Sequence, residues 1–87
     1  MTDGVRVGEV THFFNRLCVA VVRASQDIKV GDMVHFLGHS TDFYQTITSM
    51  EIDHQPVTEV KAGQEVAIKV ERRVRGGDAV FRLSGEE

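Results

Sequence analysis

Apolar and polar residues alternate with a period of two along this chain, and the 3.6-residue period of an amphipathic helix is absent. In Gln64–Glu71, Val66, Ile68 and Val70 fall on one face while Glu65, Lys69 and Glu71 fall on the other, the pattern of a half-buried strand. Met33–Leu37 and Ala79–Leu83 are shorter runs rich in β-forming residues. Leu17–Ala24 is apolar on both faces and predicts a central strand covered on each side. Phe43–Asp53 alternates throughout, and its β-branched residues favour strand over helix. Val5–Val10 opens the chain as a further strand, weakened at Gly8, where a bulge or a close backbone approach is expected.

Three turns punctuate these runs. Gly31-Asp32-Met33-Val34, Gly63-Gln64-Glu65-Val66 and Gly77-Asp78-Ala79-Val80 each place a glycine, then a polar residue, then a strand. Glycine supplies the positive φ that a tight turn needs before the chain straightens. The strands between the turns do not resemble one another, so the repeat reflects shared turn physics. Strands, turns and no helical signal predict an all-β fold closed into a small barrel, because closure removes the exposed edges of a short open sheet.

Length and composition narrow the picture. The 87 residues suit one domain spanning 1–87. A chain this short buries only roughly 60–65% of its unfolded surface, but its apolar residues are plentiful and evenly spread. One cysteine excludes an intrachain disulfide and fits a reducing compartment, and Cys18, inside an apolar run, is expected to be a small buried hydrophobe. The N-terminus has no basic region followed by an apolar stretch, and no run is long enough to span a bilayer, so a cytoplasmic protein without a membrane contact is expected. The formal net charge of −3, with both signs interspersed, is not the basic footprint of a protein that lives mainly on nucleic acid.

The candidate chemistry is sparse. His35 and His39 are four apart, but a strand followed by a glycine turn does not bring them together, and His12 and His54 lie in other segments, so no metal site is expected. His39, Ser40 and Asp42 contain the residue types of a hydrolase triad. Neighbours within one short loop rarely face each other as a triad requires, and Ser40, Thr41 and Asp42 are better suited to bonding their own backbone. Lys69, Arg72, Arg73 and Arg75 form a basic cluster where one strand leaves for the last hairpin, with Arg23 and Arg82 as its expected flanks. The alternative is a solvated turn balanced by Glu65, Glu71 and Asp78. Phe13-Phe14 is the second candidate: on an extended backbone one ring enters the core and the other is exposed for stacking, whereas a bulge buries both.

The ordered series Gly8-Glu9-Val10, Ile28-Lys29-Val30-Gly31-Asp32-Met33-Val34, Val60-Lys61-Ala62-Gly63-Gln64-Glu65-Val66-Ala67-Ile68 and Val74-Arg75-Gly76-Gly77-Asp78-Ala79-Val80 resembles the second-domain β-barrel of elongation factor Tu and its relatives. Val10-Thr11-His12-Phe13-Phe14, Gly38-His39-Ser40-Thr41-Asp42-Phe43 and Ser49-Met50-Glu51-Ile52-Asp53-His54 are similar to small translation elongation factor-like proteins. They are similar also to the barrel at the C-terminus of collagenase-like peptidases. The resemblance implies a closed six- or seven-stranded barrel that acts as an adaptor. No Gly-x-x-x-x-Gly-Lys-Ser/Thr occurs, so nucleotide hydrolysis is not expected, and neither are a cofactor or catalytic residues.

By resemblance, the leading functional expectation is a non-enzymatic module that contacts transfer or ribosomal RNA, or a translation or RNA-modification protein. Lys69, Arg72, Arg73, Arg75, Phe13 and Phe14 would supply its contact residues. The alternative is a protein-interaction accessory subunit acting in trans with a collagenase-like peptidase or RNA-modifying partner.

Overall fold

The computed structural model describes residues 4–83, which form ten β-strand segments and no helix. They are β1 (Val5–Phe14), β2 (Val19–Ala24), β3 (Ile28–Lys29), β4 (Met33–Leu37), β5 (Asp42–Thr46), β6 (Met50–Ile52), β7 (Gln55–Val57), β8 (Glu59–Val60), β9 (Glu65–Lys69) and β10 (Ala79–Arg82). Eight of them make one antiparallel sheet in the order β5-β4-β10-β1-β2-β9-β6-β7, and β3 pairs with β8. The inward residues of the long strands meet in one core around Phe36, Val10, Val22, Val34, Ile68 and Val80, so the sheet is curled around a single apolar interior. The partly buried Phe43 stacks on Phe36 at 5.2 Å between ring centroids.

The three glycine turns are the joints of this sheet, and they share one hydrogen-bond pattern. In Lys29–Asp32, Lys61–Gln64 and Arg75–Asp78 the fourth residue's N–H donates to the first residue's carbonyl, at 3.1, 3.2 and 3.0 Å. The fourth residue's side chain accepts the first residue's N–H in return, at 2.9, 2.9 and 2.8 Å. The third residue is glycine at φ 99°, 92° and 95°, the signature of a type II turn. Each turn then clamps one buried residue of another segment. The glycine N–H donates to that residue's carbonyl, and that residue's N–H donates to the carbonyl that follows the glycine. The pairs are Gly31 with Ile47, Gly63 with Ala24 and Gly77 with Val10, and all six bonds lie between 2.7 and 2.9 Å.

Gly8 shows both expected features. The β1–β10 register shifts between Arg6 and Gly8, and a Cβ at Gly8 would lie 2.7 Å from Val22 Cγ1 and 2.8 Å from the Arg23 carbonyl. A second shift, between Val10 and His12, bends β1 against β2.

Three expectations are corrected. Phe43–Asp53 is two strands: Gln45 and Ile47 point inward, then Met50 does, so the inward parity changes across Thr48-Ser49 as the chain leaves β4 to pair with β9. Leu17-Cys18 belongs to the β1–β2 turn, with Leu17 61% exposed and Cys18 exposed at φ 53°. The apolar run therefore overstated the strand, and Cys18 is not buried. Within β2 the outward Val19 and Val21 are only half-buried and Arg23 is exposed, so this strand is covered on one face.

Among the described residues the backbone ladder is not closed into the expected six- or seven-stranded barrel, since β5 and β7 are its two edges and do not pair with each other. The gap beside β5 is bridged by a side chain. The buried Gln45 amide donates to the Lys69 carbonyl at 3.0 Å and accepts the Glu71 N–H at 2.8 Å. The other edge, β7, carries Pro56, which withholds a donor from any incoming strand. Beside β3 and β8, Lys61 bridges Glu59 and Asp27 at 3.0 and 3.4 Å. Its pKa is raised by the Glu59 hydrogen bond and then by the Asp27 charge, so this contribution is complete at neutral pH and fades only above the ordinary lysine range.

A Cβ at Gly31, Gly63 or Gly77 would meet nothing within 4 Å, which isolates backbone conformation as the cost of substitution. Gly31→Ala, Gly63→Ala and Gly77→Ala are each expected to lower stability in urea unfolding by about 1–2 kcal/mol. The losses should add, because the three clamps share no partner.

Candidate functional site

The basic cluster lies on the loop between β9 and β10. Val70 and Val74 are buried anchors, and between and beyond them Arg72, Arg73 and Arg75 are exposed. The loop is stitched to the β1–β2 turn: the Val70 N–H donates to the Cys18 carbonyl at 2.9 Å, and the Lys69 ammonium to the Leu17 carbonyl at 3.2 Å. Lys69 thus stands beside the β1–β2 turn that carries the exposed Arg16, whereas Arg75 opens a turn clamped to Val10, midway along β1.

The expected flanks are elsewhere. Arg23 pairs with Glu65 at 3.5 Å, four residues along β2 from the partner of Lys69, or about 13 Å away. Arg82 donates to the Asp27 carbonyl. Two of the three acids expected to balance the arginines are also committed: Glu65 to Arg23, and the buried Asp78 to the Arg75 N–H, with its carboxylate packed where a Cβ on Gly38 would stand. Among the described residues none of Arg72, Arg73 and Arg75 forms an ion pair.

Phe13 and Phe14 follow strand alternation. Phe13 packs against the core, while Phe14 is 45% exposed on the outer face, edge-on to the His12 ring at 4.4 Å. The β1 bulge falls just before them, so it does not bury both. Of the basic residues, Lys69 lies in the same row as Phe14, since Phe14 pairs with Val19 and Val19 with Lys69.

A second surface escaped the sequence reading. On the outer face of β10, β4 and β5, Phe81, His35 and Tyr44 lie in register across three strands. The His35 ring stacks on Tyr44 at 4.1 Å and lies 6.3 Å from Phe81. Its Nε2 is 2.6 Å from Asp42 Oδ1. Met33 and Leu37, on the same face, are exposed, and Tyr44 is 57% exposed, so three of the chain's large exposed hydrophobics share one patch. The signal was present: Met33, His35 and Leu37 alternate on β4, and a four-residue turn would set Asp42 and Tyr44 beside them. Asp42 therefore serves His35 and not its own loop, which is closed by the Gly38–Thr41 backbone bond at 2.8 Å. Among the described residues no group of three His, Cys, Asp or Glu side chains is placed to hold a metal ion, and no helix is long and apolar enough to cross a membrane.

The chain matches no protein-family model. It is 32% identical over 80 residues to an uncharacterized protease of Methanocaldococcus jannaschii; the match takes in 91% of this chain but only 20%, one fifth, of that protein. The fold is that of the C-terminal domain of a Geobacillus thermoleovorans protein described as a U32 peptidase. Two crystal structures of that domain superpose with TM-scores of 0.84 and 0.83. The first covers 90% of this chain and 91% of the domain at 21% identity, the second 87% and 96% at 23%. All three lie on the peptidase side of the resemblance read from the sequence, and none is an elongation factor.

Asp78 is expected to set the order of the basic loop. Asp78→Ala should lower stability by about 1–3 kcal/mol, more than Asp32→Ala, because water reaches the N–H freed at Lys29 more easily than the one at Arg75. Amide exchange should quicken at Arg75, Gly76 and Gly77 in the first variant and not in the second.

Proposed function

We propose that this chain is a non-catalytic interaction module that works with a U32-type, collagenase-like peptidase, and that it docks through the aromatic face of β10, β4 and β5. The observation that carries this reading is the 32% identity along 91% of the chain to one fifth of a protease. In such a protease the corresponding segment is joined to the rest of the enzyme by the chain itself. A module acting in trans needs a surface that binds without a linker, and burying exposed apolar area is the main source of such binding. Tyr44, Met33 and Leu37 offer that area, with Phe81 and His35 stiffening its centre. Tyrosine flanked by apolar neighbours is also the composition of an interface hot spot.

The arginine loop supports a second reading, contact with an RNA backbone, because Arg72, Arg73 and Arg75 are exposed on one loop without ion-pair partners among the described residues. Each guanidinium presents paired donors to phosphate oxygens. The two readings use different surfaces and separate cleanly.

Co-expression with a U32-type peptidase of the source organism that lacks its own copy of this domain should give a complex that co-purifies. Tyr44→Lys should reduce recovery at least ten-fold, while Arg72→Ala with Arg73→Ala should leave it unchanged. Failure to co-purify would sink the peptidase reading. Filter binding to transfer RNA at physiological salt, lost in the double arginine variant, would then establish the RNA reading.

A further inference from the structure

A groove of about 270 Å³ opens on the outer face where β2, β9 and the β6–β7 hairpin meet the end of β1. Its floor is apolar and shallow because the middle position of β9 is alanine: Ala67 pairs with Val21 on one side and Glu51 on the other. Phe14 forms one wall and presents its half-exposed ring. Glu51, Asp53 and Glu65 stand around the rim, and no lysine or arginine lines the groove. Glu65 is partly engaged by Arg23, whereas among the described residues Glu51 and Asp53 form no ion pair. Asp53 and His54 make the two-residue β6–β7 turn at φ 51° and 64°, a type I′ geometry that projects both beside the groove.

The geometry points to a binding site for one basic side chain, arginine or lysine, of a partner polypeptide. Such a side chain has an apolar stem and a cationic head, and the groove offers both halves of the complement. Val21 and Ala67 are positioned to receive the methylenes. The Phe14 ring supplies a cation–π face and the carboxylates supply charge-assisted acceptors. Three carboxylates with no lysine or arginine among the lining residues disfavour an acidic occupant, and the apolar floor separates this site from a simple surface cluster of acids. The site lies on different strands from the aromatic face and does not depend on the partner being a peptidase.

The test is an NMR titration of the isotope-labelled chain with acetyl-Ala-Arg-Ala-amide, beside the same peptide carrying uncharged citrulline. Saturable shifts are expected at Phe14, Glu51–His54 and Ala67, with binding at least ten-fold weaker for the citrulline peptide. Ala67→Leu, which fills the groove and keeps every charge, should abolish the shifts while the rest of the spectrum is retained. Glu51→Gln with Asp53→Asn should weaken binding at least five-fold, and Tyr44→Lys should leave it unchanged. Equal response to the citrulline peptide, intact binding in Ala67→Leu, or the same shifts produced by calcium chloride alone would overturn the proposal.

Discussion

Everything in this fold depends on one turn used three times. A single sheet that curls around its own core must bring distant segments together where no ladder continues, and the buried N–H and C=O groups there still need partners. Ile47, Ala24 and Val10 stand at such places, each nearly or fully buried. In each case a glycine with φ between 92° and 99° aims its own N–H and the next carbonyl at the clamped residue, while an Asp or Gln side chain holds the turn shut from behind. Only glycine reaches that φ without strain, so the requirement is written into three positions of the sequence. The small core then needs no disulfide.

This arrangement separates support from recognition. The clamps and the Gln45 bridge lie inside or along the seams, and they leave three outer surfaces without a structural duty. These are the aromatic face of β10, β4 and β5, the acid-rimmed groove over Ala67, and the exposed arginines of the loop between β9 and β10. Surfaces carried on a rigid shell lose little conformational entropy on binding, which suits the proposed role in recognition. The likeness to part of a protease and to a peptidase's C-terminal domain fits that division of labour.

Much of the fold was legible because strands and turns are local. The alternation in Val66, Ile68 and Val70 gave β9, and the Gly-polar-strand repeat identified all three clamps as turns with positive φ. What the repeat did not reveal was the residue each turn grips, because Ile47, Ala24 and Val10 lie 16 to 67 positions from the clamping glycine and their pairing is set by how the sheet curls. The same limit explains the misjudged Cys18: Leu17–Ala24 reads as one apolar run, and only the β1–β2 register shows that the turn takes its first two residues. At the candidate site, local sequence placed Arg72, Arg73 and Arg75 on one loop, and Phe14 outward of Phe13. It could not place Arg23 and Arg82 apart from them, nor assemble Phe81, His35 and Tyr44, since that row is built from three strands in register.

Docking on a peptidase through the aromatic face, as proposed, would be visible directly in a solution complex. The most direct measurement is cross-saturation NMR on the labelled chain bound to a U32-type peptidase of the same organism. Signal loss is predicted at Met33, His35, Leu37, Tyr44 and Phe81, with the amides of Gly31, Gly63 and Gly77 unaffected because the clamps do not move. Saturation centred on Arg72, Arg73 and Arg75 with the aromatic face untouched, or loss of the clamp amides on binding, would contradict it.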